Sequence, residues 1–221
     1  MIKSRLPRDV IAMRVAKELE NKSYVNLGIG IPTLVSDFVS NPGSIIFQAE
    51  NGLLNYGSLA DQLNIDVDLV NAGGQFLENV PGMAFFGSDE AFAMIRGGHI
   101  DVSVMGGMQV SEKGDLANWM LPWRGVGNIG GSMDLAVGAK QVIVAMEHTD
   151  KENNPKVVKN CSFPLTGKNC VDLVITDLAV IQVTFKGLLV KELAPDWSLQ
   201  DVQDLTEPYL MPSKDLKPFD L

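Results

Sequence analysis

The sequence predicts an α/β protein: one domain over residues 1–221, with a mixed, mostly parallel sheet and helices on both faces. Three observations predict it. Ile45-Ile46-Phe47 and Gln141-Val142-Ile143-Val144-Ala145-Met146 are near-continuous apolar runs, the pattern of strands buried on both faces rather than alternating in and out. Tyr24-Val25-Asn26-Leu27, then Gly28-Ile29-Gly30, then an apolar stretch from Leu34 to Val39 reads as strand, tight turn, helix, the unit from which such sheets are built. Helical spacing of Val10, Ile11, Val15 and Leu19 after Pro7 predicts an amphipathic helix over 7–20, with proline in the first turn.

Further elements follow in chain order. A third short strand is expected at Asp68–Asn71. Next comes a helix over 89–96, with Ser88 or Asp89 as cap and Gly97-Gly98 as stop. A strand is expected at Ile100–Met105 and a short helix at 133–139. The β-rich runs Gln141–Met146, Leu173–Thr176 and Ala179–Val183 are strands, the last turning at Phe185-Lys186-Gly187 into Leu188-Leu189-Val190. Ser198 caps a closing helix to residue 205, and the polar, Pro-containing stretch 208–221 is expected to be a loose tail. No composition shift marks a linker, and no repeat is present.

Composition narrows the function. The formal charge is −9 and there is no long basic run, which argues against nucleic-acid binding. Any phosphate-bearing ligand must be held by local donors or by positive charge from another chain. Cys161 and Cys170 are too few for a disulfide scaffold. With His99 and His148 as the only histidines, a metal site has little to build on. The N-terminal stretch is amphipathic rather than signal-like, and no apolar run reaches the ~18 residues of a membrane span. A cytoplasmic protein, off the membrane, is the expectation.

Glu50 follows a buried β run and precedes Asn51-Gly52. A carboxylate at a strand's C-terminal end points into the crevice where α/β sheets bind ligands, and Gly52 would leave space for an incoming group. On residues alone, a solvated turn carboxylate is the commoner role. Gly28-Ile29-Gly30 lacks the third glycine of a dinucleotide fingerprint and reads as a tight turn whose N–H groups could hold a polar ligand. The pairs Gly97-Gly98, Gly106-Gly107 and Gly130-Gly131 could let backbone approach a long ligand. His99 reads as a hydrogen-bonded structural residue, His148 as solvated, and 151–159 as a charged surface loop.

Several segments together resemble the B (beta) subunit of the family I CoA-transferases: VNLGIGIPTLV (25–35), FQAENGLL (47–54), DLVNAGG (68–74), residues 92–122, IGGSMDLAVGAKQVIVAMEH (129–148), CSFPLTGK (161–168) and ITDLAV (175–180). They run in family order over nearly the whole chain. The resemblance implies that Glu50 is the nucleophile of a Ser-Glu-Asn-Gly motif, here with Ala49 in place of the serine. It implies that Gly131, beside Gly130, supplies an oxyanion-hole N–H, with Ser132 replacing an alanine. Gly28, Gly30, Asn51, Gly52 and Gly130 are the implied substrate- and CoA-binding positions.

Two loops depart from the family pattern, Leu54–Ser58 and Trp123–Ile129, and this bears on which acids are accepted. The implied activity is exchange of CoA between an acyl-CoA and a free short-chain or 3-oxo acid, through a glutamyl-CoA thioester on Glu50. Coenzyme A would be a substrate, with no permanently bound cofactor and no metal. The implied partner is an A (alpha) subunit, in an α2β2 or similar oligomer. A CoA-ester hydrolase using the same glutamate and a non-catalytic ligand-sensing domain are the alternatives.

Overall fold

The computed structural model describes residues 3–19, 24–40, 42–61, 63 and 65–220. Its first helix, α1 (Arg8–Lys17), starts after Pro7, whose extended backbone sits at the N-cap. Residue 20, the end expected for this helix, lies outside the described residues. Strand β1 (Tyr24–Leu27) follows. The expected helix at 34–39 is instead a 3₁₀ helix, Ile31–Phe38. Pro32 opens it, and the N–H of Thr33 bonds to the Gly30 carbonyl three residues back, the tighter turn of that helix type.

Strands β2 (Ile46–Ala49), β3 (Leu53–Leu54) and β4 (Ala84–Phe85) come next, then α2 (Ser88–Arg96). Gly87 holds the N-cap of α2 without a side-chain bond, so neither Ser88 nor Asp89 caps it. No strand forms at 68–71. Only Val70 bridges to Phe76, because the Asn71 side-chain oxygen accepts the N–H groups of Gly73 and Gln75 and turns the chain, a local alternative to a ladder.

The remainder comprises β5 (Val102–Met105), β6 (Gln109–Ser111), β7 (Leu116–Ala117), α3 (Ser132–Gly138), β8 (Gln141–Ala145), β9 (Val157–Val158), β10 (Leu173–Ile175), β11 (Ala179–Thr184), β12 (Gly187–Leu193), α4 (Leu199–Gln203) and β13 (Leu210–Pro218). Ser198 caps α4 through a reciprocal box with Asp201.

Among the described residues, ten strands form one sheet in the order β13-β12-β11-β10-β8-β5-β1-β2-β3-β4. The inner run β10-β8-β5-β1-β2 is parallel throughout; antiparallel pairs flank it on both sides. Successive side chains supply two cores. Val25, Val104, Ile143 and Ala145 pack with α1 and the 3₁₀ helix. Val142, Val144 and Met146 pack on the other face with Ile95 of α2, Leu135 of α3 and Val202 of α4.

Two expectations are corrected at the periphery. The stretch expected as a loose tail, 208–221, is not loose over its described residues 208–220: β13 pairs in parallel with β12, Leu188 opposite Leu210 and Leu193 opposite Pro218. Its Lys and Pro residues suit an edge strand, and Leu210 and Phe219 are buried. The 151–159 loop is exposed at 151–154, but Val157 and Val158 are buried as β9, which joins β6 and β7 in a separate three-stranded sheet.

Candidate active site

The chain crosses from β1 to β2 on one side and returns to β5 on the other, so the strand order reverses at β1. Ligands of open α/β sheets bind beyond the C-terminal strand ends at such a reversal. A cavity of about 500 Å³ opens there, walled by residues 26–29 at the end of β1, 105–108 at the end of β5, and 128–132 at the start of α3. Gly28 is pinned against β5: its N–H bonds the Val104 carbonyl at 2.8 Å, and a Cβ would stand 3.1 Å from that oxygen. Gly107 lies on the sheet's end, where a Cβ would fall 2.7 Å from Val144 and 2.8 Å from Met146. Asn118 fixes this loop by donating to the Gly106 carbonyl and accepting from the Thr166 hydroxyl.

Glu50 stands at the end of β2 and is the one ionisable side chain among the described residues that line this cavity. Its Oε1 accepts the Gly131 N–H at 3.3 Å. The Gly130–Gly131 backbone lies directly on the carboxylate. A Cβ on Gly131 would fall 2.0 Å from Oε2, and one on Gly130, whose φ is +47°, 3.3 Å from Oε1. Partial burial raises the Glu50 pKa; the Gly131 N–H opposes this by stabilising the anion, and the Asp134 carboxylate adds to the rise. The carboxylate is thus partly stripped of water yet offered a backbone donor, the two conditions that set an ionisable group's reactivity.

Of the sequence-predicted site residues, the structure brings together Glu50, Gly28, Gly130 and Gly131 around one cavity. Gly30, Asn51 and Gly52 do not line it. Asn51 donates to the Val70 carbonyl on an exposed turn. Gly52 leaves no room for a ligand: at φ +104°, its missing Cβ would sit 2.0 Å from the Phe86 carbonyl oxygen. It is the close approach of β4's end that demands glycine.

A buried polar ladder was not foreseen from the sequence. Asn26 donates to the Gln48 backbone oxygen at 3.0 Å and to its side-chain oxygen at 2.6 Å, and Gln48 donates to the Ala91 carbonyl of α2 at 3.3 Å. This ties β1, β2 and α2 together just ahead of Glu50, with Asn26 on the cavity wall. Polar residues inside two otherwise apolar strands were the available signal.

The two histidines exchange roles relative to expectation. His99 is exposed. His148 is fully buried between the Thr176 and Thr206 hydroxyls, at 3.0 and 2.8 Å, and burial pulls its pKa down to about 4. It stands outside the cavity lining. Among the described residues, no helix is long and apolar enough to cross a membrane.

Residues 8–205 match the family model described as Coenzyme A transferase. The chain is 52% identical over 200 residues to the B subunit of the Helicobacter pylori succinyl-CoA:3-ketoacid coenzyme A transferase, covering 90% of this chain and 96% of that one. It is 46% identical over 213 residues to the mitochondrial succinyl-CoA:3-ketoacid coenzyme A transferase 2B of Mus musculus, covering 96% of this chain and 41% of the longer mouse protein. The fold is shared with the acyl-CoA transferase apoenzyme of Escherichia coli O157:H7, at TM-score 0.76 and 20% identity, where this chain spans 45% of the other. The chain belongs to the coenzyme A transferases, as a family I beta-type chain.

Proposed function

We propose that this chain is the catalytic beta subunit of a heteromeric enzyme that moves CoA between succinyl-CoA and a 3-oxo acid, through a thioester on Glu50. The observation that carries the mechanism is the pairing of the lone ionisable side chain of the cavity, among the described residues, with a glycine-turn N–H, Glu50 Oε1 to Gly131 at 3.3 Å. The acid pair is inferred from the names of the relatives that match across the chain's length.

Neither a thioester nor a free carboxylate reacts readily with the other, and a protein carboxylate splits the exchange into easier covalent steps. An ionised Glu50 oxygen attacks the acyl-CoA carbonyl; the C–S bond breaks, giving a mixed anhydride and CoA thiolate. The thiolate attacks Glu50 Cδ, and the first acid leaves as its carboxylate. The second acid's carboxylate then attacks Glu50 Cδ and expels the thiolate. The thiolate takes the new acyl group from the anhydride and frees Glu50. No net proton is consumed, so no histidine base is called for.

When thiolate attacks Glu50 Cδ, negative charge builds on a Glu50 oxygen, the atom type that Gly131 N–H already faces. One such donor is worth about 10²–10³ in rate. Binding energy from the remote parts of CoA can position the thioester. A partner alpha subunit would cover the open cavity and keep water from the anhydride and the thioester; an α2β2 assembly is the proposed form. The test is CoA transfer from succinyl-CoA by this chain with and without its alpha partner, in the presence and absence of acetoacetate. Turnover requiring both partner and acceptor acid supports the reading; acceptor-independent release of CoA would replace it with a hydrolase.

A further inference from the structure

Helix α3 touches α2 at both ends and the middle. At its C-terminal end Gly138 sits on the α2 backbone, where a Cβ would fall 2.3 Å from the Ile95 carbonyl oxygen. In the middle, Arg96 Nε donates to Asp134 Oδ1 at 2.7 Å, while the Arg96 guanidinium lies 5.5 Å from the centre of the Phe92 ring. At the front, the Glu50 carboxylate and the Phe92 ring edge crowd the same spot beside Gly131, 2.0 and 3.0 Å from where its Cβ would be. Asp134 is three residues beyond Gly131, one helical turn from the bond to Glu50. These contacts make α2 the platform that sets where the glycine turn meets the carboxylate.

We infer that Arg96, by pairing with Asp134 and stacking on Phe92, is a positioning residue that holds the Gly130–Gly131 turn against Glu50. The inference rests on the catalytic reading of Glu50 given above. Arg96 has a second consequence. Asp134 is the acid of α3 that faces Glu50 and opposes its ionisation. Arg96 from α2 neutralises that acid. The parts of β1, β5 and the 128–132 turn that line the cavity carry no ionisable group. The Arg96 side chain is 66% exposed, and an exposed pair of this kind adds little to folding. Its removal is therefore felt at the turn rather than in the fold.

The experiment uses this chain assembled with its alpha partner and compares wild type with Arg96→Met, Arg96→Lys, Asp134→Asn and the Arg96→Met/Asp134→Asn double variant. A misplacement approaching 1 Å costs about 10²-fold in rate. Arg96→Met is expected to lower kcat by roughly 5–20-fold, the most that an exposed ion pair and a cation–π contact together can bias the turn, and within that limit. KM for succinyl-CoA should stay within about threefold, since the substrate's remote contacts are untouched. The acid limb of kcat should move to higher pH, because an unpaired Asp134 disfavours ionised Glu50. Arg96→Lys should recover part of kcat, and the double variant should return the acid limb toward wild type. The inference is overturned if Arg96→Met keeps kcat within about threefold with the acid limb unmoved. It is equally overturned if activity falls only in step with a lowered melting temperature and the limb stays in place. Gly138→Ala, which pushes α3 off α2 without removing a charge, should lower kcat and move the acid limb to higher pH, because the Gly131 N–H withdraws from Glu50; unaltered kcat there removes α2 as the platform. Wild type that transfers CoA without labelling Glu50 would instead defeat the underlying reading, whatever Arg96 does.

Discussion

Gly131→Ala isolates the carboxylate–amide contact better than any change to Glu50 itself. The backbone at Gly131, φ −86° and ψ 6°, is open to alanine, so no backbone strain confuses the result. The new Cβ would lie 2.0 Å from Glu50 Oε2 and 2.8 Å from Cδ, well inside any tolerated contact. The carboxylate, as the free end of a flexible side chain, must retreat by about 1 Å, a misplacement worth about 10²-fold in rate. Losing the N–H as an oxyanion donor is worth about 10²–10³. Both describe the same displacement, so the expected fall in kcat is about 10²–10³ rather than the product. Stability should change by less than about 1 kcal/mol, because the side chain can swing into the cavity. Steady-state CoA transfer and thermal melting of the same preparations give both numbers. A variant with kcat within threefold of wild type would refute the claim that Gly131 and Glu50 work as a pair.

Two further substitutions test the scaffold. Gly52→Ala meets the Phe86 carbonyl at 2.0 Å and needs φ +104°. Strain and overpacking together should cost about 2–5 kcal/mol in urea unfolding, and a loss under about 0.5 kcal/mol would contradict the close backbone approach. His148 is held neutral, its pKa lowered from 6.5 to about 4. Between those pH values the unfolded chain takes up a proton that the folded chain refuses, so stability falls as pH drops through the window, by about 3 kcal/mol in all. His148→Asn should be less stable at pH 7, with two threonine hydroxyls left short of a partner. Its stability should fall less steeply across that window; parallel wild-type and variant profiles would reject a buried neutral imidazole.

The inner strands and α1, α2, α3 and α4 were readable because their signals are local: apolar runs for β2, β5, β8 and β10, helical spacing for α1, a cap at Ser198. What escaped reading depends on residues far apart in the chain. β13 carries few apolar residues, and pairing with β12 makes it a strand. Gly52 looked like room for a ligand because Phe86 cannot be placed beside it from spacing alone. The histidines exchanged roles for the same reason: Thr176 and Thr206 reach His148 through the fold.

The departure at Ala49 also reads differently in three dimensions. Its side chain is buried in the core facing α1, on the face opposite to Gln48. The methyl group therefore belongs to packing. Glu50 and Gly28 come together because they follow the neighbouring C-terminal ends of the parallel strands β2 and β1, a place that the strand–turn–helix order already implied; Gly130 and Gly131 reach them from the start of α3.

The most direct measurement is capture of the covalent intermediate. Assembled with its alpha partner, the chain is incubated with succinyl-CoA in the absence of an acceptor acid, treated with borohydride, digested and mapped by mass spectrometry. The account predicts modification of the peptide containing Glu50, absent after incubation with free CoA and absent in Glu50→Gln. Labelling of a different residue, or acceptor-dependent CoA transfer that survives in Glu50→Gln, would contradict it.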